Sequence, residues 1–157
     1  MRFALSVTLL HVQDLMHSLG PATPWIESLI QESSESWTLQ SSEGTAIAVN
    51  FGDESGRLIL SALLGRPEQE HQHAIYMTML CANLLYAEDN AMRIALTGPS
   101  GDLMLMSDVL SREWSIATLQ NLLWNFHQSA SRLMVRIHAI ANEEAEFEPA
   151  ITDFLRA

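Results

Sequence analysis

The sequence contains no lysine. All eight basic residues are arginines, they face 19 Asp and Glu residues, and the formal net charge is −11. Without lysine the chain has no Schiff-base nucleophile, no phosphate-loop lysine and no serine–lysine dyad. Binding to nucleic acids and docking on anionic membranes both depend on clustered basic residues, so the charge balance argues against both kinds of partner.

Cysteine and long apolar runs are also scarce. Cys81 is the single cysteine, so the chain can form no internal disulfide and no cysteine metal cluster. This use of cysteine is typical of a reducing compartment, and we expect a cytoplasmic protein. No apolar run approaches the roughly 18 residues of a transmembrane helix, so we expect no membrane insertion. Composition and length predict one folded domain over residues 1–142, followed by an acidic tail or short helix over 143–157.

The spacing of apolar residues predicts the elements of this domain. Spacings of three and four indicate helices, and alternation of apolar and polar residues indicates strands. The resulting order, α-βββ-α-ββ-α, is that of an α+β domain with a twisted antiparallel sheet packed with helices. The predicted helices cover residues 5–19, a segment from residue 68 onward, and residues 115–140. Residues 24–30 are predicted as a short helical turn and residues 31–36 as a connection. The predicted strands are 37–39, 45–51, 57–64, 92–96 and 103–106.

The second predicted helix is apolar on nearly every side. Between Ala74 and Ala87, Thr78 and Asn83 are its only polar residues apart from the aromatic Tyr76 and Tyr86. Such a helix needs cover on more than one side. It therefore lies deep in the domain or faces a second subunit. We place Glu68 and Glu70 in its first turn, where negative charge suits the helix dipole.

Possible catalytic or metal-binding groups do not assemble into a site. His71 and His73 point about 200° apart if they lie on a helix, which does not suit a shared metal ion. Cys81 lies among apolar residues, as buried structural thiols do. The segment from Gly98 to Gly101 lacks a lysine and leads into a strand, which is typical of a hairpin turn. We expect no catalytic residue, no metal ion and no cofactor.

Methionine and tryptophan are more informative about binding. Methionine side chains are flexible and occur often on surfaces that fit varied partners, although they fill gaps in a core equally well. An exposed tryptophan in the irregular region around Trp25 and Trp37 would be an anchor for a partner, but both could be buried. The methionines in or beside the predicted contact faces are Met77, Met79, Met104, Met106 and Met134.

The region 76–127 resembles the class I type III secretion chaperones, the Tir chaperone family. In that family an apolar helix is followed by a strand, a glycine-containing turn, a strand with alternating leucines and a closing helix. The order of elements over residues 5–140 agrees as well. The residues that carry the resemblance are Leu80, Ala82, Asn83, Leu84, Leu85, Ile94, Ala95, Leu96, Gly101, Leu103, Leu105, Leu119, Leu122 and Phe126.

The resemblance implies a homodimeric bacterial chaperone that binds the N-terminal segment of a secreted effector and keeps it ready for export. The segment would remain extended, pair with the sheet and insert apolar side chains into grooves. For each nominated residue, packing in the core is the competing explanation. The resemblance nominates Ile75, Met79, Leu80, Asn83, Leu84 and Ile94 for the dimer interface, and Leu9, Val12, Met16, Ile47, Val49, Leu58 and Leu60 for the client grooves.

Two other functions remain open at this stage. A chaperone-like protein could sequester a regulator of secretion instead of an effector, and the partner recovered with it would distinguish the two. A small enzyme with an unusual site of histidine and acidic residues would instead need a concave pocket with converging polar groups.

Overall fold

A computed structural model describes residues 8–52, 54–89, 92–99, 101–110 and 114–142. The predicted tail over 143–157 and the first residues of the first predicted helix lie outside this range. Nine elements follow one another along the chain. They are α1 (Leu9–Ala22), β1 (Ile26–Ser33), β2 (Ser36–Ser41), β3 (Ala46–Gly52), β4 (Arg57–Gly65), α2 (Gln72–Asp89), β5 (Met92–Leu96), β6 (Leu103–Leu110) and α3 (Ile116–Ala141).

The six strands form an antiparallel sheet in the order β1-β2-β3-β4-β6-β5. Alternate residues of β2, β3 and β4 are buried, as the alternation in the sequence predicts. The pairing aligns these residues across the strands, so one face of the sheet carries a continuous apolar layer. Its cross-strand pairs include Trp37 with Val49, Leu39 with Ile47, Val49 with Leu60, and Phe51 with Leu58.

Polar side chains fix the start of two helices. The Thr8 hydroxyl accepts a hydrogen bond from the backbone N–H of His11 at the start of α1. The Ser115 hydroxyl accepts one from the N–H of Thr118 at the start of α3. Both side chains bind N–H groups that have no partner inside a helix, which is the usual role of Ser and Thr at this position. The apolar stripe of α3 is buried, at Leu119, Leu123, Phe126, Ala130 and Leu133 among others.

The predicted fold class is confirmed, but two segments differ from the prediction. Residues 26–33, predicted as a helical turn and a connection, form the edge strand β1. Ile26 is the only residue of β1 that is buried, so the strand lacks the alternation by which half-buried strands are recognised. Glu68 and Glu70 lie before α2, which begins at Gln72. This polar segment offers no apolar face to pack, and the helix begins where the apolar stripe begins.

The chain divides into two compact units. The first consists of Met1–Ala62 and Asp108–Gln128, and the second of Leu63–Ser107 and Ser129–Ala157. The first contains α1 and strands β1 to β3, and the second contains α2 and β5. Each unit carries one of the two edges of the sheet, and each edge is described with the groups around it below.

Candidate protein-binding surfaces

The edge strand β1 is the first surface that could bind another chain. Within the described residues it pairs with β2 on one side only. An edge strand presents backbone N–H and C=O groups that can accept a further strand. The side chain of Ile30 on β1 is 55% exposed, and those of Glu27 and Glu32 are exposed too. Edge charges and the two register shifts in β1 limit unspecific pairing.

An aromatic cluster lies directly before β1. The ring centroid of Trp25 is 5.5 Å from that of Trp124 on α3 and 4.9 Å from that of His127. His127 is buried, and neither of its ring nitrogens has a hydrogen-bond partner among the described residues. Its Nε2 lies 3.6 Å from a carboxylate oxygen of Glu43, whose side chain is largely exposed. The two indoles, the imidazole of His127 and the carboxylate of Glu43 thus lie close together at this end of β1.

A small cleft opens beside the two tryptophans. Its volume is about 300 Å³, and Trp124 is 41% exposed in it. Gln120 fixes one wall, because its side-chain amide donates to the carbonyl of Ala22 and to the hydroxyl of Thr23, each at 2.9 Å. The residues that line the cleft are Ala22, Thr23, Pro24, Trp25, Gln120, Asn121 and Trp124.

The second surface is the outer face of α2. Ile75, Met79 and Ala82 are buried along one side of the helix. Leu80 and Leu84, one turn apart, are 64% and 67% exposed, and Met77 is partly exposed near them. Exposed leucines scattered singly are common on proteins, but a row at helical spacing on a helix with a separate buried side is typical of a contact face.

Asn83 on α2 binds the other edge strand, β5. Its side-chain amide donates to the carbonyl of Ile94 at 2.9 Å, and its side-chain oxygen accepts from the N–H of Ile94 at 2.6 Å. In an antiparallel pair, the N–H and C=O of one residue point to the same side. Because Asn83 binds both groups, the N–H and C=O of Ile94 point away from β6, and both are already hydrogen-bonded to Asn83. Asn83 therefore closes the β5 edge at this residue.

Two further contacts stabilise the second unit. Arg66 donates two hydrogen bonds of 2.9 Å to the two carboxylate oxygens of Asp102, and this pairing raises the pKa of the guanidinium. On α2, burial raises the pKa of Tyr86, and the nearby Arg132 and a hydrogen bond with Ser129 lower it by less. These groups are used in contacts within the unit.

Most residues nominated for client binding lie in the core. Leu9 is half-buried, and its six companions are at most 2% exposed, namely Val12, Met16, Ile47, Val49, Leu58 and Leu60. In the isolated chain these six side chains are engaged in packing. This burial agrees with the competing explanation, packing in the core, and their nomination for client binding stays a prediction.

The residues nominated for the dimer interface fall into two groups. Ile75, Met79 and Ile94 are buried within the chain. Leu80 and Leu84 are exposed on the outer face of α2, and between them Asn83 binds β5. Their nomination stays a prediction, now narrowed to two leucines that a second copy can reach.

Several exposed groups were missed from the sequence. The exposure of Ile30 on an edge strand was not predicted, because the sequence pattern of residues 24–30 indicates a helical turn. Trp124 lies on α3 outside the buried stripe, and the sequence pattern of this helix predicts only which residues are buried. Trp37 is buried, which decides the alternative left open for it, whereas Trp25 is half-buried and stays open to a partner. The other exposed large apolar residues are Leu10, Leu63, Leu96, Leu110 and Val135.

Two other kinds of feature are absent from the described residues. Among the described residues, no three or more His, Cys, Asp or Glu side chains are grouped so that they could hold a metal ion. No helix in the described part of the chain has the length and apolar character needed to cross a membrane.

A comparison with protein families decides the relationship. Residues 26–134, well over half of the chain, match the model of the Tir chaperone protein (CesT) family. The chain belongs to this family. The resemblance inferred from the sequence is thereby confirmed. None of the curated proteins matches it significantly in sequence.

Solved structures share the fold of this family member. A chain of the ExsC–ExsE complex is similar at 15% identity with a TM-score of 0.63, covering 80% of this chain and 92% of that one. A chain of the HopA1–SchA chaperone–effector complex is similar at 16% identity with a TM-score of 0.60, covering 80% and 94%. The third is from the heterodimeric ExoU–SpcU complex of the type III secretion system of Pseudomonas aeruginosa, at 17% identity with a TM-score of 0.52, covering 66% and 84%.

Proposed function

We propose that this chain is a type III secretion chaperone that binds an extended N-terminal segment of an effector protein along the free edge of β1. The observation that carries the proposal is the edge strand itself, which has one partner in the described chain and an exposed isoleucine on it. Membership of the Tir chaperone family supports it, and so does the similarity to a chaperone–effector complex.

The physical basis is strand addition. Backbone hydrogen bonds to β1 would hold the client extended, and apolar contacts such as that with Ile30 would select its side chains. The β5 edge is less suited to this role, because Asn83 already occupies the backbone groups of Ile94. Holding the segment extended prevents it from collapsing or aggregating before export. The chain needs no catalytic group for this task, and we propose a binding protein without enzymatic activity that works in the bacterial cytoplasm.

We also propose that the chaperone is a homodimer through the outer face of α2. Leu80 and Leu84 present an apolar row that a second copy could cover by a symmetric contact of helix on helix. Pairing of two β5 strands is disfavoured by the bonds between Asn83 and Ile94.

Co-expression with candidate clients tests the proposal. The chaperone is produced with the N-terminal segments of secreted proteins encoded next to it, and the variant Ile30→Asp is compared with Val135→Asp. Both residues are exposed apolar side chains, but Val135 lies on α3. We expect Ile30→Asp to weaken the complex about tenfold and Val135→Asp to leave it unchanged. Equal binding by Ile30→Asp and the unaltered chain would contradict the assignment of β1.

A second partner class, a regulator of secretion, would use the same edge. The two are separated by the fate of the partner, because an effector is exported after release whereas a regulator stays in the cell.

A further inference from the structure

We propose that the cleft beside Trp25 and Trp124, referred to below as the tryptophan cleft, binds an arginine side chain of the client segment. This inference rests on the proposed function and adds the chemistry of the client to it. The steps of the argument are the size of the cleft, its aromatic walls, the charge around it and its position beside β1.

The size of the cleft suits one side chain. Binding sites for drug-sized molecules have volumes of about 300–1,000 Å³. With about 300 Å³ this cleft is at the lower limit, and it is open to solvent. A long, thin side chain that enters from a neighbouring strand fits such a space better than a larger ligand does. Because Gln120 ties α3 to the end of α1, the walls are fixed before the client arrives.

The walls are two indole rings that favour a planar cation. Their centroids are 5.5 Å apart, and the ring planes are tilted by 58°. The face of an indole attracts a cation within about 6 Å of its centroid, and arginine is found in such contacts more often than lysine. A guanidinium can also stack flat on one ring while its N–H groups remain available to the amide oxygens of Gln120 or Asn121.

The charge around the cleft also favours a cation. Between Arg2 and Arg57 the sequence has no basic residue, whereas residues 8–52 contain five acidic ones. Two of them are close to its aromatic residues: Glu27 follows Trp25 by two residues, and the carboxylate of Glu43 lies 3.6 Å from His127, whose ring contacts both indoles. These carboxylates attract a cation and repel an acidic side chain, whereas a neutral apolar side chain gains nothing from them.

The position of the cleft relates it to the proposed client path. Trp25 immediately precedes Ile26, the first residue of β1. A client strand on the β1 edge therefore reaches the cleft at one end and Ile30 further along. Trp25 and Ile30 are five residues apart, and β1 has a register shift between Ile26 and Ser28. Because neighbouring strands align residue by residue, the arginine and the apolar residue over Ile30 should be about four or five residues apart in the client.

Three synthetic peptides test the inference. They share one extended sequence of alternating apolar and polar residues and differ at a single position, which holds arginine, citrulline or leucine. Citrulline has nearly the shape of arginine but no charge, so it separates the effect of the cation from that of the shape. Binding is followed by the NMR signals of the indole N–H groups, assigned with Trp25→Phe and Trp124→Phe, and by the backbone amides of β1.

We expect the arginine peptide to shift the indole signals of Trp25 and Trp124 and to bind about 3- to 30-fold more tightly than the citrulline peptide. In Trp124→Leu the arginine and citrulline peptides should bind with about the same dissociation constant, while the β1 amides still respond to all three peptides. Trp124 is partly exposed, so this variant should fold, and a thermal melt checks that it does.

The two proposals fail in different ways. If the β1 amides respond but citrulline or leucine binds as tightly as arginine, the inference about the cleft is wrong and strand addition stands. If the indole signals respond to arginine but no peptide affects β1, the cleft binds a cation and the proposed function is wrong. No response at either place contradicts both.

Discussion

Replacing Leu84 by glutamate should separate the proposed dimer into monomers. Complete burial of a leucine side chain is worth about 1.5–3 kcal/mol. Leu84 is 67% exposed in the single chain, so covering it by a second copy would contribute about 1–2 kcal/mol. A symmetric interface buries this side chain twice, and Leu84→Glu would therefore lose about 2–4 kcal/mol. The dissociation constant should rise about 30- to 1,000-fold, before any cost of burying the carboxylate is counted.

Sedimentation equilibrium over a range of protein concentrations measures this change. The unaltered chain should have twice the 17.5 kDa mass of one copy, and Leu84→Glu should have the single mass at the same concentration. Leu80→Glu should act in the same way. Leu10→Glu and Val135→Glu are matched controls, because both residues are as exposed as Leu84 but lie on α1 and α3. A dimer of unchanged affinity in Leu84→Glu, or a monomeric unaltered chain, would refute the reasoning.

Two further predictions concern contacts within the second unit and are tested by denaturant unfolding. Gly101→Ala should cost more than Gly44→Ala: both glycines have positive φ, worth about 1 kcal/mol each, but at Gly101 the new Cβ would also lie 2.6 Å from the Tyr76 hydroxyl. Equal losses in the two variants would show that the Tyr76 contact does not matter. Asn83→Ala should cost about 1–3 kcal/mol, because it leaves the N–H and C=O of Ile94 without their partner. Stability within about 0.3 kcal/mol of the unaltered chain would contradict that role.

The parts of the fold with periodic burial could be predicted from the sequence. The alternation in β3 and β4 and the stripe of α3 are visible because one side of each element is buried and the other is not. The order of these elements, together with the region around α2, was sufficient to identify the family. Where one side of an element is apolar and the other polar, the residue pattern shows which side is buried.

The parts that could not be predicted depend on what lies outside each element. β1 is an edge strand with a single buried residue, so its sequence carries no alternation. The apolar residues of α2 could not be sorted into buried and exposed, because Ile75 and Leu84 look alike until the sheet is placed beside the helix. The tryptophan cleft brings together residues that are about a hundred positions apart, Trp25 and Trp124, and no local pattern connects them.

Hydrogen–deuterium exchange of the chaperone, free and bound to a co-expressed client segment, tests the central claim most directly. The amides of β1, Ile26–Ser33, should exchange more slowly in the complex, because the client would take up hydrogen bonds at the open edge. The amides of β5, Met92–Leu96, should change little, since Asn83 closes that edge at Ile94. Unchanged exchange in β1 together with new protection in β5 would contradict the account.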